Sequence, residues 1–335
     1  MAIRCAVDTG YGFVKFAWLG PDKQTIVADH FPAYARKNAG EAFKVLGRLD
    51  VTEVTVNKIR YQVGKDILTG NEHTRKLAAD YSQTDEYLAL TIGAMYYVYR
   101  ATRERVIEKM VVGLPVTLFK DRTVRDRLKH RLAGMHEIQD PFDAKTDLVH
   151  ISVNEVMVVP QPAGGFSEWH FHHDAETGAP VQADEVTLVM DPGEFTLDWL
   201  TLVGTSLRAD RCGALDEGMS AIVRAVERQF AADMGEISVP STIVKRGLIS
   251  GSMTFRTKSV VAAPYLKLAK SRAEEIAGEV YVKVGGTEDV SHFVLTGGGA
   301  SIFEDAFKKA FRCDKIHVVK EPMYANVTGF LRMGA

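Results

Sequence analysis

Cysteine is scarce: Cys5, Cys212 and Cys313 are the whole complement of a 335-residue chain. Three widely spaced thiols, an odd number, give neither a disulfide framework nor a CxxC metal site. An excess of either charge is also missing. Forty-one Lys and Arg stand against 43 Asp and Glu, a net charge of −2, which removes the broad grip on nucleic acid that needs a large basic surplus. No apolar run reaches the ~18 residues of a membrane span, and acid and glycine occupy the N-terminal stretch where a secretion signal would carry its apolar core. No GxxxxGK[ST] occurs, so there is no P-loop, and no GxGxxG opens a dinucleotide fold. What remains is the expectation of a reduced, cytoplasmic chain without a membrane partner. With 46% hydrophobic and 25% charged residues it has ordinary globular composition. Its length suits two domains better than one, because single cores stop growing near roughly 250–300 residues.

Periodicity supplies the elements. Ile3, Cys5 and Val7 alternate, Asp8-Thr9-Gly10-Tyr11-Gly12 interrupts, and Val14, Phe16 and Trp18 resume the period of two; this is a hairpin. The spacing predicts a long helix over 82–110, a strand over 110–114, a helix over 119–134 and a strand over 151–159. The polar stretch 166–185 reads as a surface hairpin or loop. A continuous apolar strand over 186–190 leads through Asp191-Pro192-Gly193 into a second strand over 195–203. Helices are expected at 214–235, 239–250 and 260–285. The C-terminal part reads as strand 293–296, the turn Gly297-Gly298-Gly299, helix 301–311 and a short strand near 316–319. Strands and helices mixed throughout mean α/β.

One repetition organises the chain. Asp8-x-Gly10 and Asp191-x-Gly193 lie 183 residues apart, and the apolar pairs Val14/Leu197, Phe16/Trp199 and Leu19/Leu202 keep that offset. Two hairpins of one design, one in each half, point to a duplicated fold. Two chemistries suit such a pair. An aspartic protease also carries one Asp-Thr-Gly in each half, with two carboxylates sharing a proton. Against it stand at least five legible helices, Pro192 in place of a supporting hydroxyl, and Asp8 almost at the terminus. The second chemistry is a phosphate clamp. Glycine turns expose consecutive backbone N–H groups to phosphate oxygens, and a Cβ would hold the backbone away and forbid positive φ. Each Asp then holds hydrated Mg²⁺, which prefers few carboxylates and several waters. Lys15, leaving the first hairpin, can neutralise phosphate charge or be a solvated strand lysine. The late glycine turn between strand and helix has the form of a phosphate or nucleoside turn.

Taken together, these motifs resemble the actin, Hsp70 and sugar-kinase superfamily, and within it the plasmid-segregation (StbA/ParM-like) actin homologues. Asp8-Thr9-Gly10-Tyr11-Gly12-Phe13-Val14-Lys15 is similar to that family's first phosphate loop, and Val112-Gly113-Leu114-Pro115 to its strand-end Gly-Leu-Pro. Asp191-Pro192-Gly193-Glu194-Phe195-Thr196-Leu197-Asp198 resembles the second phosphate loop, 296–300 the adenosine loop, and 325–331 the closing helix. Lys245, in Val244-Lys245-Arg246-Gly247-Leu248, resembles a nucleoside-contacting helix or an exposed helix face. Glu194 departs from the glycine many relatives carry. Gln161, in Pro160-Gln161-Pro162, stands where segregation proteins often have Glu and actin has Gln.

The resemblance implies an actin-like (ribonuclease H-like) duplicated α/β fold, with two domains around a nucleotide cleft, 1–180 with 313–335 and then 181–312. It implies hydrolysis of ATP, or GTP, to the diphosphate with Mg²⁺. Asp191 and Gln161 would be catalytic, Gln161 orienting water rather than acting as a base, and Asp8 and Asp191 would hold the metal. Asp8, Thr9, Gly10, Tyr11, Gly12, Lys15, Gly193, Glu194, Thr196, Lys245, Gly297, Gly298 and Gly299 would line the nucleotide. The partners implied are further copies of the chain in a filament and a DNA-binding adaptor; a non-polymerising phosphotransferase or ATPase is the alternative.

Two features lie outside that scheme. His170, His172 and His173 with Asp174 could bind a transition metal if imidazoles two apart shared a strand face, or could simply belong to a His-rich polar loop. Lys120, Arg122, Arg125, Arg127, Lys129 and Arg131 sit around inward-facing Val124 and Leu128. That stretch reads as a solvated amphipathic helix, with an acidic surface, adaptor or DNA as the alternative partner.

Overall fold

The computed structural model describes residues 2–37, 49–67, 80–140 and 148–334. The chain forms two compact units, Met1–Pro180 with Tyr324–Ala335, and Val181–Met323. The return to the first unit therefore comes at Tyr324, not at 313, because residues His317–Val318 pair within the second unit's sheet.

In chain order the first unit holds β1 (Ala2–Thr9), β2 (Phe13–Leu19), β3 (Ile26–Pro32), β4 (Arg36–Lys37), β5 (Val51–Val56) and β6 (Ile59–Gly64). There follow α1 (Asp85–Thr102), β7 (Val106–Leu114), α2 (Val116–Phe119), α3 (Arg122–Leu132), β8 (Gly134–Gln139), β9 (Leu148–Pro160) and α4 (Gln161–Thr177). Its sheet runs β3-β2-β1-β7-β9-β8-β5-β6-β4, with β1, β7 and β9 parallel at the centre. Central parallel strands are covered on both faces and read as unbroken apolar runs, as Met110–Leu114 does; every residue of it is buried. α1 begins under a Thr84 cap, whose hydroxyl accepts from the Tyr87 N–H. It stops at Thr102, eight residues short of the helix expected from sequence, and Arg103 closes it with φ 64°. Residues 106–110 are claimed instead by the ladders to β1 and β9, a tertiary demand that outweighs local helix preference.

The second unit holds β10 (Val186–Pro192), β11 (Leu197–Val203), β12 (Ser206–Leu207), β13 (Gly213–Leu215), α5 (Met219–Met234) and α6 (Ser241–Ser250). β14 (Ser252–Phe255), β15 (Lys258–Val261), α7 (Ala263–Val284), β16 (Val290–Leu295), α8 (Ala300–Phe311) and β17 (His317–Val318) complete it, and α9 (Ala325–Met333) belongs to the first unit. The main sheet is β12-β11-β10-β16-β17, with β13 on β11; residues 214–215 are thus strand, not the start of a helix. Leu188, Met190, Leu197 and Trp199 pack with Ile276, Phe303 and Phe307 of α7 and α8 in one core. No helix among the described residues is long and apolar enough to cross a membrane.

The 183-residue offset holds in three dimensions. Asp8 faces Lys15 and Val7 faces Phe16 across the β1–β2 ladder; Asp191 faces Asp198 and Met190 faces Trp199 across β10–β11. The next strand keeps it as well, with Val7 beside Val112 and Met190 beside Leu295.

The segment expected as a loop at 166–185 is mostly helix, since α4 runs to Thr177. Its glycines mark a close helix crossing rather than a turn. A Cβ on Gly164 would lie 2.1 Å from the Asn326 carbonyl oxygen, and one on Gly329 1.8 Å from that of Gly164. One turn on, Arg332 Nε lies 2.7 Å from buried Glu168 Oε2. Burial alone pushes the Glu168 carboxyl up, yet Arg332 and His172 outweigh it and hold it below the usual range. That pair therefore stabilises the unit above the ordinary carboxylate range and is lost as pH falls through the lowered value. On this helix the imidazoles separate: His170 pairs with Asp174, His172 with Glu168, and the His173 ring packs on Trp169. Among the described residues no group of three or more His, Cys, Asp or Glu could hold a metal ion, so the histidines form no such site.

The basic stretch is the amphipathic helix α3, with Val124, Leu128 and Leu132 buried. Arg125 donates to the Phe119 carbonyl, Arg127 to the Gln83 side chain, and Arg131 to the Gln83 carbonyl and Asp85. Two of the six cations, Arg127 and Arg131, thereby hold the start of α1, and Arg125 ties α3 to α2.

Gly164→Ala and Gly329→Ala should each lower the stability of the first unit by about 1–3 kcal/mol or more, as overpacking does. Gly278→Ala, within α7 where a Cβ meets nothing within 4 Å, should raise it by about 0.5–1 kcal/mol. Urea unfolding of the three variants measures both, and equal effects would remove the crossing from the explanation.

Candidate functional site

The parallel order β1-β7-β9 brings the C-terminal ends of three strands to one edge, where open α/β sheets bind ligands. Asp8 is the penultimate residue of β1, Gly113 is the penultimate residue of β7, and Gln161 begins α4 directly after β9. Asp8 is buried; its Oδ2 lies 3.0 Å from Lys15 Nζ, and its Oδ1 accepts from Gln161 Nε2 at 2.7 Å. An ionised carboxylate can only accept, so the amide nitrogen must face Asp8 and Gln161 Oε1 must face away. A Cβ on Gly113 would sit 2.8 Å from Gln161 Cγ and 2.6 Å from the Phe330 ring; glycine leaves that space to both. Three residues chosen from sequence, Asp8, Lys15 and Gln161, are thus in direct contact. Thr9 is turned elsewhere, its hydroxyl 2.9 Å from that of Thr91 on α1. The Tyr11 ring stacks on Tyr81, centroids 4.6 Å apart, and the Gly12 carbonyl accepts from the Ala33 N–H.

The second unit repeats the turn with different charge. Gly10 N–H donates to the Phe13 carbonyl at 3.1 Å and Gly193 N–H to the Thr196 carbonyl at 2.8 Å. A Cβ on either glycine would come within 3.2 Å or 3.1 Å of that same carbonyl oxygen. Closeness, not positive φ, is what these two turns need; of the glycines chosen for the loops only Gly297 has positive φ, at 81°. Where Asp8 faces a lysine, Asp191 faces Asp198, and both carboxylates are buried. Asp198 was not among the residues picked from sequence. The 183-residue offset could have found it, since it occupies the place of Lys15.

Two further segments lock onto this hairpin. The N–H groups of Met219 and Ser220, at the start of α5, donate to the Gly193 and Glu194 carbonyls at 3.0 Å and 2.7 Å. Gly299 N–H donates to the Pro192 carbonyl at 3.0 Å and Gly297 N–H to that of Pro322 at 3.0 Å, so the triple-glycine turn and the hairpin form one hydrogen-bonded body. A Cβ on Gly297 would lie 2.2 Å from Asp191 Oδ1, whereas one on Gly298 would meet nothing within 4 Å. Thr296 is fully buried and its hydroxyl has no hydrogen-bond partner among the described residues. Lys245, on α6, reaches Glu194 Oε1 at 2.9 Å, which supplies a counterion for the acid that stands in place of glycine.

In the second unit Asp191 and Asp198 offer anionic oxygens and no nitrogen or sulfur, the donor chemistry a hard divalent cation takes, and Asp8 offers the same in the first unit. In each unit the glycine turn carries backbone N–H groups of the kind that meet anions.

Residues 6–164 match the N-terminal domain of actin-like proteins, and residues 189–309 match the C-terminal domain of archaeal MreB-like actin homologues. The chain is an actin-like protein. Solved structures agree on the fold. Ta0583, an archaeal actin homolog, is 20% identical with a TM-score of 0.75, over 99% of this chain and 98% of that one; it has also been solved in complex with ADP. A ParM filament from Clostridium botulinum is 16% identical with a TM-score of 0.72, over 99% of each chain. Bacillus thuringiensis ParM with AMPPNP is 12% identical with a TM-score of 0.68, over 99% of this chain and 98% of that one. A search of the curated proteins found no match. The helices and parallel strands of this actin-like fold exclude the nearly all-strand architecture of an aspartic protease.

Lys15→Met should destabilise the first unit by on the order of 3 kcal/mol at neutral pH, because it strands a buried carboxylate. Asp8→Asn in the same chain should recover most of the loss. Denaturant unfolding of the single and double variants reads the difference.

Proposed function

We propose that this actin-like protein binds and hydrolyses ATP or GTP with Mg²⁺ and assembles into filaments while the triphosphate is bound. The observation that carries the reading is the pair of hairpins in identical register, each ending in a buried aspartate beside a glycine turn. Related structures support it: the Ta0583 homolog solved with ADP, one ParM solved with AMPPNP and another solved as a filament.

Each unit offers its own glycine turn and aspartate to a nucleotide. Lys15 supplies a point cation to phosphate oxygens, exchanging its partner Asp8 for them. The N–H groups of the two hairpin turns face phosphate oxygens, and the triple-glycine turn faces the nucleoside. Within its own unit each hairpin aspartate, Asp8 or Asp191, would hold Mg²⁺, which would neutralise the charge that develops on the phosphates during transfer. Gln161 is the water-aligning group. With its nitrogen engaged by Asp8, its Oε1 accepts a hydrogen bond from water and turns the water's oxygen lone pair toward the γ-phosphorus. Asp191 would also orient water. Hydrolysis is then mostly positioning and charge neutralisation. Filament growth follows from head-to-tail contacts between copies, which extend without limit when the rotation does not close. A DNA segregation role, reached through a DNA-binding adaptor, is consistent with the near-neutral charge.

Phosphate release and sedimentation, each with ATP and with GTP, test this together. Asp191→Ala should cut phosphate release by about 10²-fold or more while leaving nucleotide binding measurable. Equal release by variant and wild type would remove Asp191 from the mechanism. Hydrolysis without nucleotide-dependent pelleting at high protein concentration would favour the non-polymerising alternative.

A further inference from the structure

We infer that Asn326, on the C-terminal helix α9, is a positioning residue for hydrolysis that acts through Gln161. The inference rests on the hydrolytic reading above and deepens it. A water-aligning amide must be held closely, since a misplacement of about 1 Å can cost 10²-fold in rate. Gln161 is the first residue of α4, and that end of the helix has little of its own to hold it. Its cap residue, Pro160, makes no side-chain cap hydrogen bond, and its first turn carries no acid.

The support comes from α9 instead. Gly165 N–H donates to Asn326 Oδ1 at 3.2 Å, and Asn326 is buried. The Asn326 backbone occupies the space beside Gly164, as the Cβ test at Gly164 shows, so α9 fixes the second turn of α4 from one side. Four residues further along α9, the Phe330 ring shares with the Gln161 stem the space above Gly113. The Gln161 side chain is thus located at its head by Asp8, at its stem by Gly113, and at its helix by Asn326. Of these three, Asp8 alone belongs to the proposed nucleotide machinery.

Steady-state hydrolysis of ATP, or of GTP if that is the substrate, by Asn326→Ala, Asn326→Asp, Gln161→Ala and the Asn326→Ala/Gln161→Ala double variant tests the inference. Asn326→Ala should lower kcat by about ten-fold with KM nearly unchanged, the signature of lost transition-state positioning. Asn326→Asp should recover most of it, because a carboxylate oxygen keeps the acceptor and suits a helix N-terminus. In the Gln161→Ala background, Asn326→Ala should change kcat by less than about two-fold, since the group it positions is gone. An equal fold-loss in both backgrounds, or no loss in the single variant, overturns the inference. If Asn326→Ala does not fold, Phe330→Leu enters the same cycle with the same expectations. No hydrolysis by the wild type overturns the hydrolytic reading itself, a result distinct from either.

Discussion

A glycine N–H bonded back to a carbonyl three residues on sets the geometry on which both halves depend. The bond closes each hairpin so tightly that a Cβ has no room, at Gly10 against Phe13 and at Gly193 against Thr196. Tight closure fixes the register, and the register decides which side chain stands beside each aspartate. A slip of one residue would turn Asp8 and Lys15, or Asp191 and Asp198, to opposite faces of their sheets. The parallel neighbours β7 and β16 then bring Gly113, and Gly297 just past the end of β16, to the edges where the two aspartates stand one residue from the ends of their strands.

The same frame holds opposite electrostatics. In the first unit the aspartate meets an ammonium and an amide, both donors, so its charge is already compensated. In the second, the partner across the ladder is another carboxylate. The two frames differ at this one register position, which holds Lys15 in the first unit and Asp198 in the second.

Much of this was legible in the residues. The strand-turn-strand alternation around Asp8 and Asp191, the shared offset and the late glycine turn all reflect local rules of period and turn chemistry, and the α/β class followed from them. What local rules could not show was settled by partners distant in sequence. The start of β7 looks helical until β1 and β9 claim its backbone. The stretch 166–185 looks like a loop because it is polar, and only the packing of α9 on Gly164, just before it, shows the helix that runs on to Thr177. Asp198 looked like one more strand residue, since its importance lies in what faces it. The Asp8–Gln161 contact joins residues 153 apart in sequence, and no spacing rule spans that distance.

The placement of α9 has a consequence for synthesis. The second unit is continuous in sequence, whereas the first is interrupted and takes its last helix from the far side of that unit. A ribosome releases Val181–Met323 entire before Tyr324 and the nine residues of α9 emerge. Domains fold as units while the chain grows, so the unit that begins first is completed last. Until then the strip formed by Ala6, Ala17, Val111 and Val159, which α9 covers through Val327, Phe330 and Leu331, stays open to water. That strip closes only when the turns of α9 that carry Val327, Phe330 and Leu331 dock on it.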